Sequence, residues 1–120
     1  MNFDNLFVAG CSFMEGGCLV KSHDRTTDRQ LTAKEQCELR FSKLLADKLN
    51  VKEINVATAG GSNYLAIRKI YEWVQDNEEN VSKTLFIIGL TEVLRKELYS
   101  ASTNEYIKWR STIFFDGRNP

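Results

Sequence analysis

"LFVAGCSFMEGG", residues 6–17, decides how this chain is read. Leu6 to Gly10 is apolar without alternation, the pattern of a strand covered on both faces, and it breaks directly into a Gly-Cys-Ser turn. Two later runs repeat the design: "INVATAGG" at Ile54 to Gly61 and "TLFIIG" at Thr84 to Gly89. Each is rich in β-branched or aromatic residues and ends on glycine, so all three are predicted to be strands of a parallel sheet.

Helical patterns lie between them. Thr32 and Glu35 have capping-box spacing, and Leu39, Phe41, Leu44, Leu45 and Leu49 supply an apolar face that Asn50 can end. A second helix begins at Ser62 or Asn63 and continues through Leu65, Ile67, Ile70, Tyr71 and Val74 to the polar run "QDNEEN". Phe41, Tyr71 and Trp73 fit the packing faces of these helices. Strands alternating with helices predict an α/β fold: a three-layer sandwich with a small parallel sheet, of flavodoxin-like type. Met14 to Leu31 lacks periodicity and is expected to be a long loop. "TEVLRKELYS", residues 91–100, is expected to be a short helix with Glu92 near its start and Arg95 and Lys96 beyond it. The tail "NEYIKWRSTIFFDGRNP" is read as a strand, an edge hairpin or a segment that docks on a partner. Its Trp109, Phe114 and Phe115 suit either a core or a protein interface.

With 120 residues and no linker or repeat, a single domain spanning 1–120 is expected. Sixteen basic and sixteen acidic side chains cancel without a charged tail, which gives no basis for a nucleic-acid or anionic-membrane partner. No apolar run approaches the roughly 20 residues of a membrane-spanning helix. Cys11, Cys18 and Cys37 are few and odd in number, and no signal peptide precedes Phe3, which is the pattern of a reducing, cytoplasmic compartment. Cys11 and Cys18 with His23 match no zinc spacing, so neither a metal nor a cofactor is expected.

Ligands of open parallel sheets bind beyond the carboxyl ends of the strands. Gly10-Cys11-Ser12, Gly60-Gly61-Ser62-Asn63 and Gly89-Leu90-Thr91-Glu92 all lie at such ends, so they are expected on one rim. Each also has a structural reading. Ser12 can cap its turn, Ser62 and Asn63 can cap a helix, and Glu92 and Arg95 can form an ion pair.

These three segments, in this order, resemble the first three sequence blocks of the SGNH (GDSL-like) hydrolase superfamily, and more closely the SGNH-type proteins encoded by tailed bacteriophages. "GCSF" is similar to the Gly-Asp-Ser block, with Ser12 at the nucleophile's position and Cys11 where Asp is usual. "NVATAGGSN" is similar to the second block and puts Gly60 where an oxyanion-hole N–H is supplied, and "IIGLTEVLR" is similar to the third, with Thr91 in place of the oxyanion-hole asparagine and Glu92 in place of aspartate. The resemblance covers Leu6 to Arg95. It implies an SGNH-type fold and cleavage of an ester, including acyl groups on carbohydrate, in host-cell cytoplasm or a virion. It also implies a general base in a late Asp-x-x-His block, yet no such block follows Arg95 and the only histidine is His23. Two expectations follow: the chain is the N-terminal part of a longer hydrolase, or it has the fold without the reaction and binds a ligand or protein partner. His23, followed by Asp24, is the one local substitute for the base. Asn63 and Arg95 complete the binding candidates, Arg95 as holder of the oxyanion turn or of an anionic group.

Overall fold

The computed structural model describes residues 2–17, 23–24, 29–30, 32–93 and 95–110. In chain order the elements are β1 (Asn5–Ala9), α1 (Ser12–Glu15), the short strands β2 (His23–Asp24) and β3 (Arg29–Gln30), α2 (Ala33–Leu39), α3 (Phe41–Leu49), β4 (Lys52–Asn55), α4 (Asn63–Asp76), a 3-10 segment (Glu78–Lys83), β5 (Thr84–Ile88), β6 (Arg95–Ser100) and β7 (Glu105–Arg110). The chain is thus mixed α/β, with a three-stranded parallel sheet in the order β4-β1-β5. β1 is central, and Phe7 stands opposite Ile54 on one side and Phe86 on the other.

Pairing on both sides explains the continuous apolar run at Leu6 to Ala9, whose residues are fully buried. Leu6 and Val8 point to one face and pack with Ala46 of α3, joined by Met14, Leu45, Val51, Leu85 and Ile87. Phe7 and Ala9 point to the other and pack with Ala66 of α4, joined by Ile54, Val56, Ile70, Trp73 and Phe86. The rings of Phe7, Trp73 and Phe86 are mutually in contact, with centroids 5.0, 5.5 and 5.8 Å apart.

The capping box forms as expected: Thr32 N–H donates to Glu35 Oε2 at 2.7 Å and Glu35 N–H to Thr32 Oγ1 at 3.2 Å. The helix it opens does not continue to Asn50, however. It breaks at Arg40, whose extended backbone (φ −64°, ψ 146°) ends α2 and starts α3. The break turns the Arg40 guanidinium onto Glu53 of β4, with Nε and Nη2 donating to the two carboxylate oxygens at 2.7 and 2.9 Å. The expected apolar face is also corrected. Leu39, Phe41, Leu44 and Leu49 are exposed, and the fully buried α3 residues are Ser42 and Ala46, small enough to let the helix lie close on the sheet. On α4, Ser62 Oγ accepts from Leu65 N–H at 3.1 Å as the cap, and Leu65 and Ala66 turn inward while Ile67 and Tyr71 face solvent. Three strands are too narrow to cover the whole apolar arc of either helix.

Three further expectations change. The second strand is Lys52–Asn55, not Ile54 to Gly61, although Val56 and Thr58 still donate N–H to Val8 and Gly10 carbonyls. The stretch 14–31 is not wholly irregular, since β2 and β3 pair antiparallel, His23 opposite Gln30. Residues 95–100 form a strand instead of a helix, because β6 pairs with β7 along its length, Leu98 opposite Ile107 and Tyr99 opposite Tyr106. The tail is therefore a hairpin as far as Arg110; Cys18, Phe114 and Phe115 lie outside the described residues. Among the described residues no helix is long and apolar enough to cross a membrane.

Candidate functional site

From β1 the chain adds β4 on one side and then returns to add β5 on the other. The switch between β1 and β5 leaves a crevice at their carboxyl ends, the place where doubly wound sheets take ligands. Gly10 and Gly89 close its floor. A Cβ on Gly10 (φ 152°) would lie 2.5 Å from Met14 Cγ and 2.8 Å from the Gly89 carbonyl, and one on Gly89 would lie 2.2 Å from Met14 Cγ. The Met14 side chain therefore fills the space that two missing side chains leave.

After Gly10, Cys11 is the N-cap of α1, its carbonyl accepting from the N–H groups of Met14 and Glu15, both at 3.1 Å. Ser12 is the first residue of α1 rather than its cap. Above the floor is a cavity of about 350 Å³ lined by Cys11, Phe13, Leu90, Thr91, Glu92 and Arg95. It joins the first and third rim segments, and Cys11 is a buried free thiol within it. The expected Glu92–Arg95 ion pair is present, Arg95 Nε donating to Glu92 Oε1 at 3.0 Å, in the turn that leads into β6.

Asn63 holds the third segment in place. Its Oδ1 accepts from Thr91 N–H at 2.7 Å and its Nδ2 donates to the Thr91 carbonyl at 3.1 Å, so both backbone groups of Thr91 are committed. The Thr91 N–H is therefore not free to meet a ligand, although the residue lines the cavity. A second cavity, of about 390 Å³, lies on the far side of this clamp and is lined by Asn63, Tyr64, Val93, Arg95 and Lys96. Arg95 is in the wall of both.

The structure therefore brings together Thr91, Glu92 and Arg95 directly, and Asn63 through Thr91. Ser12 lies between two lining residues, Cys11 and Phe13, without being one itself. Gly60 occupies an exposed turn with φ 70°, outside the lining, and a Cβ there would meet nothing within 4 Å. His23 is placed by its backbone in β2; its side chain is outside the described residues. Among the described residues no three His, Cys, Asp or Glu side chains gather as metal ligands.

Sequence reasoning did not find the support beneath the rim. Asn55, at the end of β4, donates from Nδ2 to the Met14 carbonyl and to Ser42 Oγ, both at 2.9 Å, and accepts from Ala57 N–H at 3.0 Å. Ser42 in turn donates to Glu53 Oε1 at 2.5 Å. Burial alone would push the Glu53 carboxyl up. Hydrogen bonds from Arg40 and Ser42, with the charges of Arg40 and Lys43, outweigh it and hold the group below the usual carboxylate range. An asparagine just before a glycine turn was the available signal, because such residues bond their own backbone two positions on.

The fold is mixed α/β with a small parallel sheet, and the crevice at its switch point is the candidate site. No protein-family model, curated protein or solved structure matches the chain.

Proposed function

We propose that the chain is a phage-type SGNH-like domain, a three-layer α/β sandwich, that binds a small ester in the β1–β5 crevice and by itself turns it over weakly or not at all. The observation that supports this reading is the cavity joining Cys11 and Phe13 to Thr91, Glu92 and Arg95. Its lining includes both chain neighbours of Ser12 and a short polar side chain, Thr91, the residue types that act together on an ester carbonyl. In the full reaction Ser12 Oγ would attack the ester carbon and give its proton to a base, the alcohol would leave protonated, and water would release the acid and restore Ser12. The Thr91 hydroxyl donates to the developing oxyanion. Within these 120 residues the only imidazole is His23, which is why Ser12 is read as poorly activated.

Titrating the protein with phenyl acetate while following backbone amide signals is expected to move those of Phe13, Thr91 and Arg95, with no stoichiometric labelling of Ser12 by a fluorophosphonate. Unmoved signals would sink the binding reading. Labelling that disappears in Ser12→Ala would instead establish an active hydrolase, and its loss in His23→Ala would identify the base.

A second reading, a noncatalytic interaction protein, draws on the β6–β7 hairpin, where Leu98, Tyr99, Tyr106 and Ile107 are all exposed.

A further inference from the structure

Arg95 is only partly explained by its ion pair. Its side chain is 17% exposed, Nε is on Glu92, and Nη1 is shut off from solvent with no acceptor among the described residues. A guanidinium carries five N–H donors, and taking it out of water with few acceptors is costly. The two cavities that share Arg95 differ in charge. To the shared Arg95 the one over Thr91 adds Glu92, while the other adds Lys96 and, among the described residues, no carboxylate. Asn63 does not offset those cations, because its amide oxygen accepts from Thr91 N–H. Tyr64 and Val93, both largely exposed, form apolar walls beside them.

We infer that the rim takes a ligand bearing an oxyanion, a carboxylate or a phosphate, held by Arg95 and Lys96 in the cavity lined by Asn63, Tyr64 and Val93. Lys96 and the guanidinium of Arg95, whose Nε is already on Glu92, give this lining its positive charge, and that favours an anion. With only two cations and a chain whose charges cancel, the site suits a small anion and not a polyanion. Glu92 lines the neighbouring cavity and Lys96 this one, so the ligand is oriented: its charged end lies against Lys96 and its uncharged end beside Thr91. Taken with the ester-binding reading, on which this second half rests, the substrate class is an acidic ester such as the half-ester of a dicarboxylic acid.

The test uses Ser12→Ala, so that turnover plays no part, and follows amide signals on addition of monomethyl succinate, dimethyl succinate or inorganic phosphate. Monomethyl succinate is expected to move Asn63, Tyr64, Arg95 and Lys96, to weaken as salt is added, and to bind about tenfold more tightly than the neutral diester. Lys96→Gln, an exposed and therefore well-tolerated change, is expected to cost about tenfold, and Arg95→Gln more. The phosphate arm separates the two oxyanions: tighter binding than monomethyl succinate assigns the cavity to phosphate, weaker binding to carboxylate. Equal affinity for the two succinates, or an affinity unchanged by Lys96→Gln, overturns the oxyanion site while leaving the ester site standing. Binding of the half-ester or phosphate without any shift from dimethyl succinate at Thr91 leaves the oxyanion site and removes the ester reading. Silence from all three probes overturns both.

Discussion

The parallel sheet and the β6–β7 hairpin are both short-stranded, and they are held in opposite ways. β1 is paired on both sides and covered on both faces, and its cohesion comes from apolar contacts shared among Phe7, Trp73, Phe86 and their neighbours. Among the described residues β6 and β7 pair only with each other, and a two-stranded ribbon is marginal by itself. Arg68 is, among the described residues, the side chain that ties the hairpin to α4 by hydrogen bonds to Glu97. Arg68 donates from Nε and Nη2 to Glu97 at 2.6 and 3.0 Å and from Nη1 to Glu72 at 2.6 Å, and its guanidinium lies 4.1 Å from the centre of the Tyr106 ring. The bonds to Glu97, and then those to Glu72, raise the Arg68 pKa further above its already high ordinary value, so it is charged at every accessible pH. The sheet is thus secured by shared apolar contacts and the hairpin through the charged Arg68 cluster, so the two are expected to loosen separately.

The largest effect is expected from Phe7→Ala. Removing a buried ring costs about 3–5 kcal/mol, a large share of the roughly 5–15 kcal/mol that stabilises a domain, so the urea midpoint falls sharply and sheet and hairpin signals are lost together. Next comes Glu53→Gln, which leaves the Arg40 guanidinium without its carboxylate and costs about 3 kcal/mol. Because the folded Glu53 carboxyl titrates low, its stabilisation is complete above the unfolded carboxylate value of about 4.3 and is lost as pH falls through the folded value. A series of urea midpoints from neutral to acid pH is expected to decline steeply below about pH 4.3 in the native protein and less steeply in E53Q. A parallel decline in both would assign the acid sensitivity elsewhere.

Smaller, and most informative for the contrast, is Glu97→Gln. It is expected to cost about 2 kcal/mol locally, so that hydrogen exchange accelerates in β6 and β7 while β1 amides retain their protection. Equal acceleration in both would show that hairpin and sheet unfold as one unit. The smallest effect is expected from Lys43→Ala. It removes an exposed pair with Asp47 on α3 and shifts stability by no more than about 0.5 kcal/mol in a thermal melt.

What was legible in the sequence was local or periodic. Leu6 to Ala9 announces a doubly covered strand because each of its residues is apolar, and Thr32-Glu35 and Ser62 announce helix starts because capping is settled within three positions. The break at Arg40 was not legible, since the partner that Arg40 meets there, Glu53, is 13 residues away. Ser42 and Ala46 were overlooked as inward residues because close packing selects small side chains, which a search for large apolar ones passes over. Residues 95–100 are mostly good helix formers, and their alternation has meaning only once Arg68 is seen to draw Glu97 inward. At the site, Thr91, Glu92 and Arg95 were visible as residues following a strand. The part Asn63 plays depends on a partner 28 positions away.

That pair sets a dimension. By bonding both the N–H and the carbonyl of Thr91, the Asn63 side chain acts as one rung of a ladder, so the distance from the start of α4 to the Thr91 loop is measured out by an asparagine. Glutamine at the same position would keep both bonds and add one carbon–carbon length, moving the Thr91 loop outward by up to about 1.5 Å. Position 63 is thus the spacer that sets how far the Thr91 loop stands from α4.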